Sequence, residues 1–472
     1  MKDNKKEILK KLSRRKFLRN TVMATAGLAI APSAIISCKD ENDPFVPDGE
    51  YGFFEGVASF DPETDRVILW SRYTPASNEK HPKIVLEVSK EENFNNLVAA
   101  QEVSIDSSSD NTLFVDLKNL ESNTTYYYRF TSVKTRKVSH TGITKTLPKS
   151  GESNQVSLAV VSCANFQAGL FNTYGAVNNS EADIVIHLGD YIYEYGQGGY
   201  GTSELTSVLG RQHSPEGEIV SIDDYRQRYR QYRRDPQLQE LHRTRPFICV
   251  WDDHEITNDA YVDGAENHQP DEGDYQTRKL NAIQVWHEYL PARVNDNAKI
   301  YRNFNIAGII NLIMLDTRIA GREKQLDYSN YFTSKGFDQN AFAADWLNPE
   351  RTLLGPEQLN WLSGTLASSN TKWQVLGSQV LMGKYYIPAE LLTITAQIAS
   401  GGATQETLQL YNKTVTELVT IKSRLAQGDP TVSTEEKARV ETVLPYNLDA
   451  WDGYPVEREK VYAAANGKNL YH

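Results

Sequence analysis

Between residues 52 and 148 apolar and polar positions alternate in short runs, "RVILWSRY", "KIVLEVS", "NTLFVDL" and "TYYYRFTS", each closed by turn residues. A two-residue period turns successive side chains to opposite faces, and such runs at close spacing predict an all-β sandwich. "PKSGESNQ", 148–155, is a linker by composition. From Val156 the texture changes to unbroken apolar runs, "VSLAVVSC", "DIVIHLGD", "FICVWDD", "IINLIMLD" and "KWQVLGSQ", alternating with helix-forming stretches. Continuous apolar runs are strands covered on both faces, so this half predicts an α/β, layered α+β fold with helices outside the sheets. Residues 388–445 are mostly helix-forming, broken at "SGGATQ" and "QGDPTVST", and read as a helical insertion capping the rest. The chain is too long for one core, and the two textures divide it into a small domain, 52–148, and a larger one, 155–472.

The first 38 residues follow a different pattern. Arg14-Arg15 precede Phe17-Leu18, a mildly apolar run rich in Ala and Thr, and then Ile35-Ile36-Ser37-Cys38. The stretch resembles a twin-arginine export signal ending in a lipobox, with Cys38 as the lipidated residue. Its apolar run is interrupted by Pro32 and falls short of the ~20 residues of a membrane span. Residues 39–51, polar, acidic and Pro-containing, read as a tether. The expectation is export by the twin-arginine machinery to the periplasm or cell surface, with a lipid anchor at Cys38.

Charge narrows the partners. Residues 1–37 carry nine basic and two acidic residues, so the remainder holds a net −18 against −11 for the whole chain. Nucleic acid, which is held through basic patches, is not expected as a partner. Of the three cysteines, Cys38 belongs to the signal, whereas Cys163 and Cys249 each stand at or near the end of an apolar run. A single bridge between those two is the alternative to separate thiols.

The ends of the apolar runs carry the chemistry. They supply Cys163 and Asn165 from "SCAN", Asp190 and Tyr193 from "GDYIY", and Asp252, Asp253, His254 and Glu255 from "VWDDHE". In an open sheet, groups at the carboxyl ends of strands meet along one edge. Carboxylates, a thiol, a phenol and an imidazole gathered there repel or stay protonated unless cations sit among them, so a multi-metal site is the economical reading. "MGKYY" lacks the spacing of a phosphate loop, "HEITN" and "HEYLP" lack the second histidine of a zinc-protease helix, and no G-x-S-x-G elbow occurs.

"FEGVASFDPETDRVILWSRYTP", "SCANFQAGLF", "HLGDYIYEYG", "FICVWDDHEITND", "LDTR", "LGPEQLNWL" and "DAWDGYPVER" occur in the order seen in the PhoD-like alkaline phosphatase/phosphodiesterase family of the calcineurin-like metallophosphoesterase superfamily. The resemblance, from about residue 52 to the end, implies a metallophosphoesterase β-sandwich core flanked by helices. "LKNLESNTTYYYRF" likewise resembles the tyrosine corner of a fibronectin-III-like sandwich, so the first domain is expected to be a small sandwich of that kind. The family resemblance implies iron (Fe3+) and calcium as cofactors, with Cys163, Asp190, Tyr193 and Asp253 as metal ligands and Asp190 bridging. Thiolate and phenolate favour a transition metal, and the carboxylates suit calcium. Small phosphate esters are the implied substrates. His254 beside Asp253 would protonate the leaving oxygen. Arg318 would either clamp a phosphate oxygen or form a structural salt bridge, and Asn165 would contact substrate.

Other groups read as support. Tyr191 and Tyr195 are expected to pack, His187 to be a satisfied core histidine, Asp252 to orient His254, and Glu255 to be structural. Trp451 and Tyr454 would anchor a loop over the site, with no role assigned to Asp452. Family members continue past the region of "NGKNLYH" into a further strand and ligand motif, so the resemblance implies a chain that stops at His472 short of its last ligands. His472 itself is not expected to replace them. The leading expectation is a secreted phosphate-ester hydrolase that scavenges phosphate. The alternatives are a catalytically inactive surface binding lipoprotein and a phospholipase-like phosphodiesterase.

Overall fold

A computed structural model describes residues 50–472 apart from 78, 80, 335 and 402. The export signal, Cys38 and all but the last two residues of the expected tether lie outside the described residues.

Seven strands form the first part: Val57–Phe60 (β1), Val67–Arg72 (β2), Lys83–Ser89 (β3), Leu97–Ser104 (β4), Thr112–Leu117 (β5), Thr125–Ser132 (β6) and Gly142–Lys145 (β7). β4, β3, β6 and β7 make one antiparallel sheet in that order, and β5, β2 and β1 make the facing layer. Ile84, Leu86 and Val88 of β3 meet Val67, Leu69 and Val115 in a shared core, the sandwich that the alternation predicts. Tyr126 supplies the tyrosine corner, its hydroxyl accepting the Glu121 N–H at 2.8 Å.

β2 is buried along its whole length, and its alternation serves two cores rather than a core and water. Val67 and Leu69 point into the sandwich. Ile68 and Trp70 point the other way, into the core of the larger part. The cause is the sheet itself. Leu158–Val161 (β8), Ile184–His187 (β9) and Pro246–Cys249 (β10) extend the β5-β2-β1 layer into one six-stranded sheet, ordered β5-β2-β1-β10-β9-β8. β1 runs parallel to β10, with Phe60 opposite Phe247. The linker expected at 148–155 therefore joins two portions of one continuous sheet, and the described residues form one compact unit.

Arg302–Ile306 (β11), Ile310–Met314 (β12), Trp373–Gly377 and the short Leu470–Tyr471 make the second sheet of the larger part. The two-residue pairs Phe332–Thr333 (β13) and Gly336–Phe337 (β14) precede Trp373–Gly377 (β15). Tyr386–Pro388 (β16) and Val443–Pro445 (β17) follow, and Leu470–Tyr471 is β18. On β12, Leu312 and Met314 pack toward the six-stranded sheet. Ile313 and the following Leu315 pack toward the helices Gly355–Ser368 and Pro455–Ala464 on the outer face. Period-two alternation thus again feeds two cores. Helices Ile222–Arg233, Pro236–Thr244 and Tyr275–Tyr289 contribute Tyr225, Tyr229, Leu241 and Trp286 to the core of the six-stranded sheet.

The helical insertion closes on itself. β16 and β17 pair antiparallel, Tyr386 opposite Pro445, and between them run helices Ala389–Gly401, Gln405–Ala426 and Thr434–Glu441. Among the described residues no helix is long and apolar enough to cross a membrane.

Candidate metal centre

β8, β9 and β10 are adjacent and parallel, with Val161, His187 and Cys249 in register. Their carboxyl ends therefore open side by side, which brings Cys163, Asp190 and the Asp252–Glu255 turn to one edge. The turn after β9 needs Gly189, whose φ is +100° and where a Cβ would lie 2.2 Å from the Asp252 backbone nitrogen. Glu255 holds the crossing: its carboxylate accepts the N–H groups of Asp190 (2.9 Å), Tyr191 (2.6 Å) and Asp252 (2.8 Å). The same interlock spaces β8, where Ala164 N–H donates to the Asp190 carbonyl at 2.8 Å. Cys163 and Asp190 both sit in left-handed backbone, φ 60° and 55°, a conformation rarely held by such residues unless the surroundings demand it.

Asp190, Asp253 and His254 each offer one donor atom within 4.8 Å of the others. The Tyr193 hydroxyl donates to Asp190 Oδ2 at 3.0 Å, and Cys163 stands at the neighbouring strand end, its N–H donating to the Gly189 carbonyl at 3.3 Å. Asp190 Oδ1 is buried and has no hydrogen-bond partner among the described residues. An orphaned carboxylate oxygen beside a thiol, a phenol and a second carboxylate is a donor set that suits a cation, so Cys163, Asp190, Tyr193 and Asp253 fit a candidate metal centre around Asp190, with the His254 imidazole beside them.

The electrostatics agree. Burial, reinforced by Asp252 and Asp253, pushes the Asp190 carboxyl well above the usual carboxylate range. Burial and the Asp190 charge push Cys163 up to about 11, and the same two causes raise Tyr193 far above an ordinary phenol. Burial would also raise Asp253, but Arg318 and His254 outweigh it and hold that carboxyl at about 2. A bound cation reverses this order, favouring the ionised form of every donor around it.

His254 is held from behind by Glu194. Its Nδ1 pairs with Glu194 Oε2 at 2.7 Å. Glu194 is fully buried and also accepts from Asn258 N–H and Asn267 Nδ2. Burial opposes the imidazolium, but Asp253 and Glu194 together lift His254 to about 10.

Several expectations need revision. Asp252 does not orient His254: its Oδ1 accepts from Arg318 Nε at 2.5 Å, and Glu194, passed over in the sequence because it lies between two tyrosines, takes that part. Arg318 is not an open phosphate clamp. Its guanidinium makes a two-point bond to Asp449 (2.8 and 2.9 Å), bonds Asp252 and lies 3.5 Å from Asp253, so the structure displays the salt-bridge alternative. Asn165 bonds within the loops rather than facing the centre, its Oδ1 accepting Gln167 and Ala168 N–H while its Nδ2 donates to the Tyr200 carbonyl. Cys163 and Cys249 are free thiols, which removes the bridge.

The supporting residues divide as follows. His187 bonds the Tyr174 hydroxyl at 2.8 Å in the core, and buried Tyr191 bonds His242. Tyr195 lies beside His254, ring centroids 5.5 Å apart. Trp451 and Tyr454 are fully buried anchors. Asp452 joins them, accepting Tyr385 N–H and bonding Arg458. The loop they anchor carries Asp449, which Arg318 and Arg322 both hold. His472 lies against Tyr462, away from the centre.

Two sheets packed face to face, helices outside, and candidate metal donors at the strand ends are the features of a metallophosphoesterase-type fold. The chain belongs to the PhoD-like phosphatase family, whose profile matches residues 158–471, while that of the PhoD-like phosphatase N-terminal domain matches 40–148. It is 31% identical over 432 residues to alkaline phosphatase D of Bacillus subtilis, a match that covers 89% of this chain and 63% of that protein. The chain thus spans a little under two thirds of that relative's length. A solved structure described as "Structure of PhoD" superposes with a TM-score of 0.68 at 29% identity, covering 90% of this chain and 72% of the other.

Proposed function

We propose that this chain is a metal-dependent phosphoric ester hydrolase of the alkaline phosphatase/phosphodiesterase type. The observation that carries the reading is the buried, unpartnered Asp190 Oδ1 with Cys163, Tyr193, Asp253 and His254 around it. A thiol and a phenol suit ferric iron, and the carboxylates suit calcium, so iron with calcium is the proposed occupancy. Cations held there by Cys163, Asp190, Tyr193 and Asp253 would neutralise phosphate oxygens and raise the acidity of water. The chain's own residues supply the rest. His254, oriented by its bond to Glu194, would hand a proton to the departing alkoxide. Arg318 keeps Asp252 and Asp253 in place through its ion pairs. The family match and the relative's name, alkaline phosphatase D, favour the same chemistry.

We further propose export through the twin-arginine pathway, a lipid anchor at Cys38, and release of phosphate from organic esters outside the cytoplasm. The "SRRKFL" and "IISC" patterns support that placement.

The test is elemental analysis of protein purified without residues 1–38, together with phosphate release from a mono- and a diester. The expected result is bound iron and calcium with turnover of at least one ester. Asp190→Asn should lower that turnover by about a thousandfold, the scale of losing a principal electrostatic stabiliser. Metal-loaded wild type without turnover, or Asp190→Asn with unchanged turnover, would overturn the reading.

A further inference from the structure

Four aromatic rings run outward from Asp190. Tyr193, whose hydroxyl bonds Asp190, stacks on His254 at 4.1 Å between centroids. Tyr200 lies one ring further out, 6.1 Å from Tyr193 with 26° between the planes and 5.8 Å from Tyr195. Tyr193 is 4% exposed, whereas Tyr200 is 65% exposed. The series begins at the buried centre and ends in water.

The segment that presents Tyr200, "GQGGYGTS", has no other aromatic side chain, yet it is pinned at its start. Gln167 Nε2 donates to the Gly196 carbonyl at 3.0 Å, and Gln197 N–H to the Glu216 carbonyl at 2.7 Å. Asn165 Nδ2 donates to the Tyr200 carbonyl itself at 3.2 Å. Gly201 has φ +87°, and a Cβ there would lie 2.5 Å from the Asn165 amide. Asn165 and Gly201 therefore interlock so that the preceding tyrosine stands at the lip. An aromatic face held on a pinned loop is already ordered before anything binds, which lowers the entropic cost of stacking on it.

We propose that Tyr200 is a stacking subsite for the organic group of the substrate, and that the preferred esters carry a planar aromatic ring close to the phosphate. This rests on the phosphoesterase reading, since it places the phosphate at Asp190 and the ester's organic group along the tyrosine series. A flat ring is the occupant because offset stacking needs a second π face, and a short alkyl group offers none.

The experiment uses metal-loaded protein of wild type, Tyr200→Ala and Tyr200→Phe. Phosphate release is measured from 2-phenylethyl phosphate and from ethyl phosphate, and calorimetry measures binding of phenylphosphonate and methylphosphonate. Tyr200→Ala should raise KM for the phenylethyl ester by about tenfold, the scale of one lost stack, and leave the ethyl ester within about twofold. Tyr200→Phe should keep the wild-type preference. Equal changes for both esters, or none, would overturn the subsite while leaving the phosphoesterase reading standing. Should wild type release phosphate from neither ester yet bind phenylphosphonate tightly, with that margin lost in Tyr200→Ala, the hydrolase reading falls and the subsite stands. Neither turnover nor a phenyl margin would remove both.

Discussion

Glu194 fixes one nitrogen of His254 and leaves the other for the centre. A carboxylate behind a functional histidine sets its tautomer and ring orientation, and losing such a partner costs about 10- to 100-fold in metal affinity or activity. Glu194→Gln should therefore lower phosphate release by roughly that factor. Its circular dichroism should match wild type, because Gln keeps the size of Glu and its carbonyl can still accept from Asn267. Wild-type turnover in Glu194→Gln would show that His254 is placed by its stack on Tyr193 alone. Residue identity announced which groups gather at one edge, since Cys163, Asp190, Tyr193, Asp253 and His254 all sit where apolar runs end. It did not announce their partners. Whether Asp252 or Glu194 reaches His254 depends on a turn whose shape Glu255 sets from 65 residues away.

At the scale of elements, Asp110 shows how the strands of the first part are fastened to the helices of the second. Sitting just before β5, it bonds Arg72 of β2, Arg230 of the Ile222–Arg233 helix, and the Tyr289 hydroxyl at the end of the Tyr275–Tyr289 helix. Burial pushes its carboxyl up, but Arg72 and Arg230 outweigh that and hold it at about 2, below the ordinary 3.8. A folded-state value below the unfolded one stabilises the fold above the unfolded pKa, and the contribution is lost as pH falls through the folded value. The window is thus from about pH 4 down to about pH 2, and the contribution is on the order of 2 kcal/mol. Asp110→Asn should lower Tm at pH 7 and flatten the acid limb across that window in thermal melts of both proteins. An acid limb identical in both would place the effect elsewhere. Charged clamps of this kind were not legible in the sequence, because the partners come from three elements separated by up to 179 residues.

The whole molecule turns on the continuity of its largest sheet. With β1 paired to β10, and Phe60, Ile68 and Trp70 packed in the larger core, the two family domains share both backbone hydrogen bonds and side-chain burial. Calorimetry of the chain from residue 39 onward should show one unfolding transition, and residues 150–472 expressed alone should be insoluble, since the free edge of β10 is a template for aggregation. Two transitions, or a soluble folded 150–472, would show that the halves are independent. By itself the sequence determined the local alternation of β3 and β6, the unbroken burial of β9 and β10, the helical insertion and the chemical identity of the groups at the strand ends, because each follows from neighbouring residues and the period of the backbone. Tertiary structure alone decided that the second face of β2 is a second core, that Arg318 is held by Asp252 and Asp449, and that Tyr200 stands at the lip of the centre. Those outcomes depend on strand order and loop interlock, contacts between residues far apart in the chain that no local pattern encodes.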